Sequence, residues 1–338
     1  MSVATPGSQE WLDQVTEPII DADRRIIDPH HHLWFRPEFG SYLLENLWAD
    51  TDSGHNIEKT VFVECSASYR DEGPEHLKPV GETEFVAQIA AESANGTPSQ
   101  ARIAAIVARA DLRLGEQLNE VLDAHEVAGE GLFRGIRHAG ARDPNREVLM
   151  GREFAPEGLY ADPEFQSGVA TLGARGLSYD TWHYHHQNPS LAPLARACPD
   201  TTIILDHFGT PLGVGPYADR RAEIFAAWKD DIAAIAESPN VVAKLGGMAM
   251  HINGFGWHTR ERPASSDEFV EAQRPYYEHA IACFGPERCM FESNFPVDRM
   301  SLSYAVLWNA LKKIAAGYSE AEQDAMFYGT AARVYRIS

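Results

Sequence analysis

The chain reads as an α/β protein, and the architecture it predicts is a (β/α)8 TIM barrel. Three observations predict it. Eight short apolar segments rich in β-branched residues recur through the 338 residues. Stretches with helical spacing of apolar residues separate most of them, and strands that alternate with helices imply a parallel sheet. Polar side chains gather at the C-terminal ends of these segments, the end at which a closed parallel barrel carries its functional loops. An open doubly wound sheet is the competing architecture, but no G-x-G-x-x-G follows an early strand and no P-loop is present.

In chain order, residues 1–25 are polar and mixed and are expected to form an irregular arm, with residues 26–338 a single barrel domain. The first strand is Ile26-Ile27-Asp28-Pro29-His30-His31-His32. A loop from Phe35 to Asn56 follows, carrying Phe35, Phe39, Tyr42 and Trp48 just after Trp34. These aromatics show no helical period, and either line a pocket or form a lid packed on the body. Strand two is Lys59–Cys65, a buried apolar run ending in Glu64. A helix over Gly81–Ser93, a strand over Arg102–Ala108, and a helix over Leu114–Ala128 with Leu118, Val121 and Leu122 on one face come next. Phe133–His138 is the fourth strand. Asp162-Pro163 opens a helix as cap and first-turn proline, and Gly173 or Gly176 closes it.

The alternation continues with strands over Leu177–His183, Thr202–Phe208, Val241–Gly247 and Cys289–Phe295. Helices over Ser190–Ala197, Arg220–Glu237 and Asp267–Phe284 lie between them, the last preceded by a loop with Phe255, Trp257 and His258. Helices over Ser301–Ala315 and Ser319–Val334 end the chain, the second opened by a capping box of Ser319 and Glu322.

Charge narrows the function. A formal net charge of −20 repels nucleic acid and anionic membrane surfaces. No apolar run reaches the roughly 20 residues of a membrane span, and the N-terminus lacks a basic region followed by an apolar one. The expectation is a cytoplasmic protein whose partner is a small molecule, with no nucleic acid and no membrane; a homo-oligomer stays open. Cys65, Cys198, Cys283 and Cys289 form no C-x-x-C pair and read as reduced packing residues.

Within the first strand, side chains two apart share a face, so His30 and His32 converge while His31 turns away. Two imidazoles so placed are a metal chelate or a polar clamp on a substrate oxygen. A surface turn or an expression tag is the bland alternative, and the apolar flanks argue against both.

Asp28-Pro29-His30-His31-His32-Leu33-Trp34, Phe133-Arg134-Gly135-Ile136-Arg137, Leu177-Ser178-Tyr179-Asp180, Leu205-Asp206-His207-Phe208-Gly209, Lys244-Leu245-Gly246-Gly247 and Phe291-Glu292-Ser293-Asn294-Phe295-Pro296 occur in this order. Together they resemble the amidohydrolase-related lactonase group of the amidohydrolase superfamily, which includes 2-pyrone-4,6-dicarboxylate lactonase and the sugar lactonases. The resemblance runs from Ile26 to Val334 and implies an amidohydrolase-type barrel. It implies that His30, His32 and His207 bind one divalent metal, zinc first, or hold the substrate directly where a member works without metal. It further implies that Arg134 and Arg137 hold substrate carboxylates, a role for which a guanidinium fork is suited.

The last strand departs from the group. Where the resemblance leads one to expect G-S-D-W-P, with an aspartate that is both ligand and base, this chain has Glu292-Ser293-Asn294-Phe295-Pro296. An amide cannot take a proton from water, though its oxygen can still coordinate. Residue 292 shares a face with residue 294, so Glu292 is the expected replacement carboxylate, and Glu64 is the other candidate base. His138 and His185 after strands four and five, Lys244 on strand seven, and Trp257 and His258 on the following loop are candidate substrate contacts. Lys244 could equally be a structural ion pair. The expected activity is hydrolysis of a lactone or related cyclic ester or amide, with an anionic and partly aromatic substrate. The alternatives are a metal-dependent non-oxidative decarboxylase of the same superfamily and an inactive small-molecule binder.

Overall fold

A computed structural model describes residues 4–36, 40–145, 148 and 155–338. Eight strands form one parallel sheet in cyclic order: β1 Arg25–His31, β2 Asn56–Val63, β3 Arg102–Ala108, β4 Phe133–Arg137, β5 Ser178–Thr181, β6 Ile203–Leu205, β7 Val241–Leu245 and β8 Cys289–Phe291. The ring nearly closes at the C-terminal strand ends. There His32 N donates to Phe295 O at 2.8 Å and Asn294 N donates to His30 O at 3.0 Å.

Between the strands run α1 Leu44–Thr51, α2 Val80–Ala94, α3 Gln117–Ala128, α4 Pro163–Ala174, α5 Leu191–Ala197, α6 Arg221–Ala236, α7 Ser266–Phe284 and, after β8, α8 Tyr304–Ala315. Alternation along the strands divides the core in two. Ile27, Val61, Val63, Ala105, Val107, Ile204, Val242 and Met290 fill the barrel, while side chains of opposite parity such as Ile26, Phe62, Ile106 and Ile203 pack against the helices. Each such Val or Ile contributes about 1.5–3 kcal/mol by leaving water.

The C-terminal residues plug the barrel from its N-terminal end. Ala331, Tyr335 and Ile337 belong to the interior cluster. Arg134 Nε, near the start of β4, donates to Tyr335 O at 2.7 Å, and Lys59 Nζ on β2 donates to Ser338 O at 2.5 Å. The arm before β1 is packed down as well: Trp11 is fully buried and its Nε1 donates to Arg260 O at 3.1 Å.

The aromatic loop is the main departure from expectation. It holds a hairpin, Trp34–Arg36 against Gly40–Tyr42, and then α1. Leu44, Leu47 and Thr51 make a buried stripe, and Trp48 Nε1 donates to Ala101 O at 3.0 Å. Two turns with four buried positions, one of them Asp50, are too short for a periodic signal, so packing rather than pattern makes the helix. Phe39 lies outside the described residues. Among the described residues no helix is long and apolar enough to cross a membrane.

Candidate active site

Interior parity above the apolar floor brings Arg137 of β4, Asp180 of β5 and Lys244 of β7 into the barrel. Glu64, Asp206 and Glu292, each one residue beyond its strand, join them. On β1 a register irregularity between Asp28 and His31 matters. Asp28 faces outward, accepting from Ser293 N at 2.9 Å, Ser293 Oγ at 2.5 Å and Tyr304 OH at 2.9 Å, whereas His30 faces the barrel interior. Strict alternation would have put both on one side, so the irregularity lets one strand serve the outer layer and the site.

His207 is held in the left-handed region at φ 53°. Two glycines make room for the reacting groups. A Cβ on Gly247 would lie 2.1 Å from His207 Nδ1, and one on Gly246 would lie 2.4 Å from Glu292 Cγ. Only a residue without a side chain lets the segment leaving β7 pass this close.

At the centre one carboxylate joins two imidazoles. Glu292 Oε1 lies 2.6 Å from His207 Nδ1, and Oε2 lies 2.8 Å from His30 Nδ1. The ligand atoms of His30, His207 and Glu292 all fall within 4.8 Å of one another. Around them runs a charge network. Arg137 Nε donates to Glu64 Oε1 at 2.9 Å and Nη2 donates to Glu64 O; Nη1 is 3.7 Å from Asp206 Oδ2. Lys244 Nζ donates to Asp180 Oδ2 at 2.7 Å and lies 3.2 Å from Asp206 Oδ1. Tyr335 OH donates to the same Asp180 Oδ2 at 2.7 Å, so the C-terminal plug forms the floor.

All these groups are at most 2% exposed. Burial drives His30 well below the ordinary imidazole value, aided by the charges of Lys244 and His207, so it is neutral. Burial also pushes the Glu292 carboxyl up to about 8 and Asp206 to about 7, against the pull of Lys244 on both. Lys244 would be lowered by burial, but Asp180, Asp206 and Glu292 outweigh that and raise it.

With His30 neutral, two permanent cations, Arg137 and Lys244, face four carboxylates, Glu64, Asp180, Asp206 and Glu292. Two surplus negative charges in a dry interior call for two protons or one divalent cation. Two imidazoles and a carboxylate within reach of one centre are a fitting donor set for zinc.

Several candidates from the sequence lie elsewhere. Arg134 does not reach the site: its guanidinium is spent on the carbonyls of Tyr335, Gly131 and Phe133. Three residues apart on a strand of period two, Arg134 and Arg137 must face opposite sides. His138 accepts from Leu112 N at 3.1 Å and packs on Phe165, and His185 accepts from Leu212 N at 3.2 Å beside Tyr217; both anchor loops. Trp257, 2% exposed, stacks between Phe255 and Phe269 in the wall, and His258 packs on His251. Asn294 turns its amide to Asp298 Oδ1 at 2.9 Å. His32 stands beside the cluster, its ring 4.9 Å from that of His30 and Nδ1 2.8 Å from Val63 O, outside the three-donor group.

Asp180, Asp206 and Tyr335 were not among the expected site residues. Interior parity at strand ends was a usable signal for the two aspartates. Tyr335 had none, because only the tertiary fold brings the C-terminal turn beneath β5.

A family model described as amidohydrolase matches residues 27–337. The chain is 34% identical over 343 residues to the uncharacterized protein y4mH of Sinorhizobium fredii, spanning 94% of this chain and 100% of that one. It is 29% identical over 257 residues to an L-fucono-1,5-lactonase of Burkholderia multivorans, spanning 76% and 77%. Among solved structures, an amidohydrolase from Burkholderia multivorans with bound zinc superposes at a TM-score of 0.71 and 26% identity, over 93% of this chain and 99% of that one.

Proposed function

The chain belongs to the amidohydrolase family, and from that membership we propose that it is a hydrolase opening a lactone, or a related cyclic ester or amide, by attack of water on the ring carbonyl. The observation that carries the reading is the Glu292 carboxylate lying between His207 and His30 at 2.6 and 2.8 Å. Similarity to a sugar lactonase and to a zinc-bound amidohydrolase supports it.

His30, His207 and Glu292 are the residues that would hold a divalent metal, which when bound supplies Lewis acidity toward a carbonyl and an acidified water. Glu292 is the proton acceptor in this reading. Its two oxygens face imidazoles, a position from which it can take a proton from water and return it to the leaving oxygen. Glu64 is the weaker candidate because Arg137 occupies its Oε1 and its carbonyl. Lys244 balances Asp180 and Asp206. Low exposure of the whole cluster strengthens each of these interactions.

The test is an assay of the purified, zinc-supplemented protein on a panel of sugar 1,5-lactones and carboxylated lactones, read by acid release. Ring opening supports the reading. Carbon dioxide release from aromatic acids without ring opening would replace it with decarboxylation, and binding without either would make the protein a binder.

A further inference from the structure

Anion recognition in this site cannot fall to Arg137. Its Nε and Nη2 are given to Glu64, and its Nη1 faces His30 Nε2 at 3.4 Å and Asp206 at 3.7 Å. A substrate carboxylate seeking it would have to displace Glu64 and approach a cluster already carrying surplus negative charge. Any anionic part of a substrate must therefore stay above this layer.

Arg109 stands there. Ala105 and Val107 of β3 face the barrel interior, and Arg109, first residue beyond the strand, continues that parity. It lies between the end of β2, which carries Glu64, and the end of β4, which carries Arg137. Its charge reaches Tyr69 on the loop after β2 and His138 after β4. The side chain is partly buried, yet among the described residues it makes one hydrogen bond, Nη1 to the neighbouring Ala110 O at 2.7 Å. Among the described residues no carboxylate lies within ion-pair distance of it. A partly buried guanidinium at this strand end without a counter-ion costs desolvation that a ligand anion can recover.

We propose that Arg109 selects the substrate, binding a carboxylate or similar anionic group on the ring whose carbonyl faces His30, His207 and Glu292. This rests on the ring-opening reading for the orientation of the ring, while the anion contact itself stands on the β3 geometry. Tyr69, half-buried on the adjoining loop, is placed to add a hydroxyl to the same anion.

The experiment measures binding by calorimetry with a matched pair, 5-oxotetrahydrofuran-2-carboxylate and its methyl ester, on the full chain and on Arg109→Met, Arg109→Lys and Arg102→Gln. Arg102 is exposed at the other end of β3, so its variant makes the same change in net charge away from the mouth. The expected result is that the wild type and Arg102→Gln prefer the carboxylate by about tenfold or more, as a charge-assisted contact provides. Arg109→Met loses the preference and Arg109→Lys keeps part of it. The inference is overturned if the wild type binds the carboxylate no tighter than the ester, if it binds neither, or if Arg109→Met keeps the preference. Carboxylate preference lost in Arg109→Met with no ring opening by the wild type would sink the lactonase reading alone and support the anion contact.

Discussion

Glu292 Oε1 and His207 Nδ1 lie 2.6 Å apart although 85 residues separate them in the chain. β6 leads into Asp206-His207 and β8 into Glu292-Ser293, and Gly247, two residues beyond the intervening β7, leaves the gap through which the imidazole reaches the carboxylate. The carboxylate expected at position 294 is thus present one interior step deeper.

Glu292→Gln keeps shape and hydrogen bonding while removing the proton acceptor. Turnover should fall by about 10²–10⁴ with the fold intact. Zinc content measured on the same preparation should fall too, since one of three donors is weakened. Full activity of Glu292→Gln beside a dead Glu64→Gln would move the base to β2.

Arg137 and Glu64 form a buried pair, so their substitutions should act first on stability. Arg137→Lys, losing the two-point grip, should cost about 1–3 kcal/mol, and Glu64→Gln, stranding a buried guanidinium, about 3–5 kcal/mol. A urea-denaturation cycle including the double variant should show strong coupling. Additive effects would mean the pair contributes nothing as a pair.

Gly247→Ala places a Cβ against the His207 ring at a backbone position, φ +66°, that suits glycine. Catalysis should suffer beyond stability: kcat/KM down by about 10²-fold, the scale expected for misplacing a reacting group by an ångström. An active Gly247→Ala protein with an unchanged melting curve would show that the crowding is relieved elsewhere.

His125 is buried between Thr83 Oγ1 at 2.8 Å and Arg109 O at 3.1 Å, and burial depresses it to about 4. Its folded value lies below the unfolded one of about 6.5, so the neutral ring stabilises fully above that pH, and the contribution is lost as pH falls toward 4. At pH 5 the loss amounts to about 2 kcal/mol relative to a residue that does not titrate. Wild type should therefore lose more stability than His125→Gln between pH 7.5 and 5 in urea melts. Equal losses would contradict the buried neutral state.

The strand and helix alternation was legible in the sequence because both periods depend only on neighbours in the chain. Arg102–Ala108 and Val241–Leu245 announce buried parallel strands by their apolar runs, and the capping residues Asp162 and Ser319 act where they stand. Position 292 could be read as interior for the same local reason. The pairing of charges could not. Whether Arg137 meets Glu64 or a ligand, whether Lys244 balances Asp180 and Asp206, and whether Tyr335 reaches Asp180 depend on the stagger of strands tens of residues apart and on the path of the C-terminal plug. Even within β1, Asp28 and His30 share a parity and end on opposite sides, because a register irregularity set by pairing with β2 overrides the period. The chain's local chemistry determined which groups stand at the mouth of a barrel; the closed ring decided which of them neutralise one another, because Coulomb interactions in a dry interior answer to distance through space and not to spacing along the sequence.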